Sequence, residues 1–265
     1  GKYFIYEDVK ILAQSVQSKS VKTLDLGDNR IAGAELKALL ESPSFQNLET
    51  LRLGINSITD EILVELARAP IHINLRQLFL NDNRLTDTSV AELVKSNNFA
   101  SLETLALGWN QLGNGVAKAL GETRIFKNLK ILDLERSYID DAGITDLVQG
   151  TILNTLEELI LASNKIGNAG IQALADAQNL GALRKLDLSA NSFGDEGLKA
   201  IGASTALSGL TELRLGRNYF TQEGAKAVRE SKTLVNLKTL VLAEGSETMP
   251  GRVNYSNPDL IRPGK

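Results

Sequence analysis

One side chain in this sequence can change charge near neutral pH, and that is His72, the sole histidine. A general base needs a nucleophile or a substrate proton within reach, yet His72 is flanked by Ile71 and Ile73 with no nucleophile pattern beside it. The stretch GNGVAKALG, Gly113 to Gly121, follows a strand-like run and opens a helix-like one, as a phosphate-cradling loop would. It lacks the third glycine of the dinucleotide fingerprint, and Gly143, Gly170, Gly197 and Gly224 stand at the start of other helix-like runs. The adjacent carboxylates Asp140 and Asp141 could bind a metal, as could the acids of DNR at Asp28–Arg30 and at Asp82–Arg84. These acids sit beside bases or in positions that repeat along the chain, which fits solvated loops and helix caps better than a cage. Cysteine is absent, so thiol nucleophiles, disulfides and thiolate metal sites are excluded together. No catalytic residue, metal or cofactor is expected, and the lone Asn254-Tyr255-Ser256 glycosylation triplet is what chance supplies at this length.

What positions these residues is a repeat. VKTLDLGDNRI from Val21 recurs as LETLRLGINSI, LRQLFLNDNRL, LETLALGWNQL, LKILDLERSYI, LEELILASNKI, LRKLDLSANSF and LTELRLGRNYF. The starts are Val21, Leu48, Leu75, Leu102, Leu129, Leu156, Leu183 and Leu210, each 27 residues after the last, and a ninth start opens at Leu237. Units that recur without a single insertion cannot bury their apolar faces alone and must stack into a solenoid. Each unit reads strand, loop, helix, loop. Leucines alternate as on a strand face, for example Leu186 and Leu188. Asparagine then recurs at Asn29, Asn56, Asn83, Asn110, Asn164, Asn191 and Asn218, with Ser137 as the break. An inward asparagine both donates and accepts, so a stack of them can satisfy buried loop backbone. At Ser137 a hydroxyl either does the same work less well, or the loop bends to present Glu135, Arg136 and Tyr138.

Four residues past the asparagine comes Asp60, Asp87, Asn114, Asp141, Asn168 and Asp195, with Gly33 and Gln222 as exceptions, a column expected to cap the helices that follow. A last apolar column closes each unit: Phe45, His72, Phe99, Phe126, Leu153, Leu180, Leu207 and Leu234. His72 is therefore expected to be core. Residues 1–20 read as the helix of a partial capping unit, 21–242 as the repeat domain, and 243–265 as a tail that covers the last strand or leads elsewhere.

LxxLxLxxN followed by an apolar residue and a capped helix resembles the leucine-rich repeat, in its ribonuclease-inhibitor-like, helix-bearing subtype. The resemblance covers residues 21–242. It implies an α/β solenoid, a horseshoe with parallel strands on the concave face and helices on the convex face, of eight 27-residue repeats with partial ends. It also implies a protein-recognition scaffold. Related repeat proteins include GTPase-activating proteins for Ran and proteins that intracellular bacteria deliver into host cells. Either a host-acting effector, a regulator of a small GTPase or the sensor fragment of a larger receptor fits that resemblance.

Composition agrees with a protein partner. The net charge is −3 with acids and bases interspersed, which points away from nucleic acid and anionic membranes. No apolar run approaches the ~18 residues of a membrane span and no secretory signal opens the chain, so a cytoplasmic monomer, or one delivered into a host cytosol, is expected. Gly1 in place of an initiator methionine suggests flanking sequence.

The strand-centre column reads Asp25, Arg52, Phe79, Ala106, Asp133, Ile160, Asp187, Arg214, Val241, and the column after the strand reads Asp28, Ile55, Asp82, Trp109, Arg136, Ser163, Ala190, Arg217. Neither faces the core. Ile55, Phe79 and Trp109 nevertheless fall in successive repeats, with Arg136 one repeat beyond. Exposed aromatic and apolar groups beside arginine have the composition of a binding hot spot. Arg52, Ile55, Phe79, Trp109, Arg136 and Tyr138 are thus the expected partner-binding residues. The competing reading is a tolerated surface tryptophan tucked against its neighbour. Asp187 and Arg214, like Asp25 and Arg52, are lateral neighbours expected to neutralise each other.

Overall fold

The computed structural model describes residues 6–14, 20–31, 33–40, 42, 45, 47–68, 75–242 and 260–261. Within them, nine three-residue strands pair in parallel and in chain order: β1 (Thr23–Asp25), β2 (Thr50–Arg52), β3 (Gln77–Phe79), β4 (Thr104–Ala106), β5 (Ile131–Asp133), β6 (Glu158–Ile160), β7 (Lys185–Asp187), β8 (Glu212–Arg214) and β9 (Thr239–Val241). Leu24 pairs with Leu51, Leu51 with Leu78, and so on, so one 27-residue step in sequence is one step across the sheet. A two-residue β10 (Leu260–Ile261) pairs antiparallel with Thr239 and Leu240 at the sheet's end. The helices alternate with the strands: α1 (Tyr6–Gln14), α2 (Gly33–Leu40), α3 (Asp60–Arg68), α4 (Asp87–Leu93), α5 (Asn114–Glu122), α6 (Asp141–Val148), α7 (Asn168–Asp176), α8 (Asp195–Ala203) and α9 (Gln222–Arg229). They form a second layer, and because packed helices need about twice the ~4.8 Å between strands, the strand face is the inner, concave one.

The core is one continuous cluster between the layers. Each strand from β2 to β9 buries its central leucine and the leucine two residues on, as Leu186 and Leu188 do, while Leu24 of β1 is partly buried. The closing apolar column is buried from Phe45 through Leu234 at every described position; His72 lies outside the described residues.

The asparagine column is the polar spine of this core. Asn110 is 4% exposed. Its Nδ2 donates to the carbonyls of Leu80 (3.0 Å), Leu107 (2.7 Å) and Gly108 (3.3 Å), while its Oδ1 accepts from the N–H groups of Asn83 (3.2 Å) and Leu85 (3.1 Å). Asn83, Asn164, Asn191 and Asn218 repeat the three-carbonyl pattern. Each asparagine thereby ties its own loop to the loop of the preceding repeat.

The acid column works differently from the sequence expectation. Asp60, Asp87, Asn114, Asp141, Asn168 and Asp195 are the first helical residues, as is the exception Gln222, and the N-cap positions from α4 on lie one earlier, at Thr86, Gly113, Asp140, Gly167, Gly194 and Thr221. The column's side chains cap the helix of the following repeat. Asp87 accepts from the N–H groups of Gly113 (2.9 Å), Gly115 (3.1 Å) and Val116 (2.9 Å) at the start of α5. Asn168 does the same for Gly194 and Gly197, and Asp195 for Thr221. A side chain at the first helical position points back from its own helix and so reaches its neighbour's free N–H groups. The phosphate-loop resemblance of GNGVAKALG ends here, since the amides that would hold phosphate hold Asp87. Asp140, by contrast, caps its own helix through Ala142 N–H at 2.9 Å.

This device also explains the helical glycines. A Cβ on Gly170 would lie 2.6 Å from Asp141 Oδ1 and 2.9 Å from Ile166 Cγ2. Helix propensity alone favours alanine over glycine by about 1 kcal/mol. Gly170→Ala is nevertheless expected to destabilise the protein by about 1–3 kcal/mol, as overpacking does. Urea unfolding checks this, and a stabilised variant would show that the carboxylate moves aside freely.

The caps carry a pH dependence. Donation from Asn114 holds the Asp140 carboxyl below its ordinary range against the opposing effect of burial, with help from the Ala142 and Gly143 N–H groups. At Asp195 burial pushes the carboxyl up, but the backbone and hydroxyl of Thr221 and the Gly224 N–H outweigh it and leave it lowered. Asp60 is likewise lowered, burial being outweighed by Ser89 and Thr86. Lowered carboxylates favour the fold above their unfolded value, about pH 4, and that contribution disappears as pH falls through the folded value. The thermal midpoint is expected to hold from neutral pH down to that range and then drop. A midpoint that rose on acidification would contradict the capping assignment.

Candidate protein-binding face

The column that contains Trp109 has an unusual backbone. Its φ angles are 54° at Asp28, 57° at Ile55, 54° at Asp82, 61° at Trp109, 49° at Arg136, 58° at Ser163, 53° at Ala190 and 58° at Arg217. Every member is left-handed, because the loop must turn sharply to send the following asparagine inward while the ladder of N–H bonds to the next repeat continues. Ile55 N–H donates to Asn81 O at 2.9 Å and Trp109 N–H to Glu135 O at 2.8 Å. Asparagine and aspartate tolerate this region, but for a β-branched or bulky residue it is a genuine outlier. The left-handed state costs an L-residue roughly 1–2 kcal/mol. Asp28 and Asp82 suit the position; Ile55 and Trp109 do not.

Nor do those two recover the cost by burial. Ile55 is 57% exposed and Trp109 44%. Around them the structure places cations on aromatic faces. The Arg136 guanidinium lies 4.3 Å from the Trp109 ring centroid, Arg52 lies 4.0 Å from that of Phe79, and Lys165 Nζ lies 5.3 Å from that of Tyr138. Each pair joins adjacent repeats, and together they run from the strands of repeats two and three to the loops of repeats five and six. All six residues singled out from the sequence therefore belong to this one stretch. Lys165 was missed; the signal for it was its place beside Tyr138 one repeat on.

Ala106 departs from expectation. It sits on the strand face but is only 3% exposed. Asn81 of the third repeat donates to Asp133 Oδ2 of the fifth at 2.7 Å, a tie that passes over the fourth. Ala106 and Gly108 keep the surface low beneath it, and a Cβ on Gly108 would lie 3.0 Å from Asp133 Oδ1. The other Asp133 oxygen accepts from Glu135 N–H at 2.9 Å.

Ser137 supplies only part of what the asparagines supply. It is fully buried, and its hydroxyl bonds the Glu135 carbonyl at 3.4 Å. In other repeats the residue after the asparagine column donates its N–H to the preceding repeat, as Arg84 does to Ile58 O (3.0 Å) and Lys165 to Ile139 O (2.8 Å). Tyr138 instead adopts φ 54° and is 48% exposed. Arg30, which follows Asn29 in the first repeat, shares this conformation at φ 57°, so the second left-handed residue is not peculiar to the serine.

The far half of the face is polar and paired. Arg214 Nε donates to Glu212 at 2.8 Å, Lys185 pairs with Glu158 at 3.3 Å, and Asp187 accepts from its own loop at Ser189 N–H, 2.9 Å. The expected neutralisation is thus shared along strands and within loops rather than resting on the lateral Asp187 and Arg214 pair. Among the described residues no group of three or more metal-binding side chains comes together, and no helix is long and apolar enough to cross a membrane.

A family model described as Leucine Rich repeat matches residues 17–40, 46–67, 153–175 and 183–202. The repeats in those stretches are leucine-rich repeats. No curated protein matches the chain. The matched stretches fall in the first, second, sixth and seventh units, and the intervening repeats share their register without interruption. Leucine-rich repeats are commonly protein-interaction modules.

Proposed function

We propose that this leucine-rich repeat chain is a non-catalytic scaffold that binds a protein partner through the face built by Arg52, Ile55, Phe79, Trp109, Arg136 and Tyr138. The observation that carries this is the pairing of strain with exposure at Ile55 and Trp109. Both occupy left-handed positions that disfavour them, and both leave much of their apolar surface in water. Folding gains little from that choice beyond the stacking of Arg136 on Trp109, whereas a partner that buries those side chains gains more. Stacked arginines beside them supply the aromatic and guanidinium composition of an interface centre. Each unit holds a full helix of seven to nine residues, which supports the ribonuclease-inhibitor-like subtype.

The test is to replace Ile55 and Trp109 by asparagine and measure both folding and partner binding. Lost binding with intact folding supports the scaffold; unchanged binding removes the face. A GTP-hydrolysis assay with small GTPases addresses catalysis separately, and acceleration by this chain would overturn the non-catalytic reading.

A further inference from the structure

Resting on that binding face, we infer that its partner presents an acidic segment, with two carboxylates and an apolar side chain close together. Arg52 and Arg136 are the reason. Each guanidinium lies over an aromatic ring, Phe79 at 4.0 Å and Trp109 at 4.3 Å. Stacking uses the flat face of the guanidinium and leaves its in-plane N–H donors directed outward. Among the described residues neither arginine has a carboxylate within ion-pair distance. Other cations along the strands do: Lys22 with Glu49, Arg76 and Lys130 with Glu103, Lys185 with Glu158, and Arg214 with Glu212. The acids on the same stretch do not substitute: Asp25, the register partner of Arg52, accepts from Gly27 N–H at 3.0 Å, and Asp133 is held through both oxygens by Asn81 and Glu135. Asp82, in the loop column between the two arginines, pairs with neither among the described residues.

The stacking draws the two forks toward each other: Arg52 reaches from the second repeat onto Phe79 of the third, and Arg136 reaches back from the fifth onto Trp109 of the fourth. Exposed Ile55 lies in the same loop column as Trp109. The preferred ligand is a short segment that carries two carboxylates and a large apolar side chain. Bidentate contacts of a guanidinium with carboxylate are geometrically specific as well as strong.

A displayed library of random peptides, panned against the wild-type chain at low salt, tests this directly. The expected pool is enriched in that acidic pattern, and its members lose at least about tenfold in affinity to Arg52→Gln or Arg136→Gln and on raising salt, as charge-assisted contacts do. A pool without acidic enrichment, or no pool, overturns the inference. If a non-acidic pool still loses binding to Trp109→Asn and Ile55→Asn, the face stands and only its charge preference falls. If an acidic pool ignores all four substitutions, the site itself is misplaced. Sedimentation of the chain alone completes the test: a dimer dispersed by Arg136→Gln would make a second copy the occupant and overturn the peptide segment.

Discussion

Asn110→Leu is expected to lower the unfolding free energy by about 3–5 kcal/mol, since each buried polar group left without a partner costs about 1–3 kcal/mol. Leucine nearly matches asparagine in size but can neither donate nor accept, so the change isolates hydrogen bonding from packing. Asn110 alone supplies partners to three carbonyls and two N–H groups. All belong to loops that no water reaches easily, because Asn110 is 4% exposed and the flanking leucines are buried. Solenoid repeats are stabilised by their neighbours, and these bonds join the third repeat to the fourth, so the variant is also expected to broaden the denaturation transition. Asn56→Leu is expected to cost less, as Asn56 is only half-buried. Urea titrations followed by circular dichroism measure both. An Asn110→Leu midpoint equal to that of the wild type would mean that the spine is not what holds these loops.

The sequence made the repeat legible because identical packing demands recur at a fixed period. Leucines at Leu105 and Leu107, asparagine at Asn110 and the closing phenylalanine at Phe99 each answer a core environment that a column of like residues reveals. Polar columns were harder. Asp87 reads as a cap because aspartate caps helices, but whether it caps its own helix or the next depends on how adjacent units stack, and one unit's sequence holds no record of that. The glycines near the helix starts, such as Gly143, Gly170, Gly197 and Gly224, followed the same logic, being set by an Asp or Asn side chain 29 residues earlier rather than by a turn of their own. Ala106 was misjudged for a related reason: its cover comes from Asn81 and Asp133, residues on two other repeats. The left-handed column was concealed by its own diversity. Aspartates at Asp28 and Asp82 hinted at the conformation, while Ile55 and Trp109 pointed away from it, and only the backbone shows that all of them share one geometry.

That shared geometry gives the prediction that bears most on function. Ile55→Asn replaces a β-branched residue at φ 57° with one that tolerates the left-handed region. It is expected to raise stability by about 1 kcal/mol. Trp109→Asn removes a comparable strain at φ 61° but also loses the stacked Arg136, a contact worth about 0.5–1 kcal/mol at an exposed site, so its stability is expected to change little. Asparagine is the informative choice, because alanine would retain the backbone strain and confuse the two effects. Partner binding is expected to move the opposite way, each substitution weakening it by about 2 kcal/mol or more as loss of an interface anchor does. Trp109 is the only tryptophan, so fluorescence gives an independent check without a partner. With 44% of its surface exposed, it should emit to the red and be quenched by acrylamide. A blue-shifted emission resistant to quencher, together with an Ile55→Asn variant less stable than wild type, would show that both side chains pack for the fold. Strain retained at the surface would then have no binding purpose. If stability rises while binding falls, the two residues are kept against the interest of the fold, and the partner is the reason.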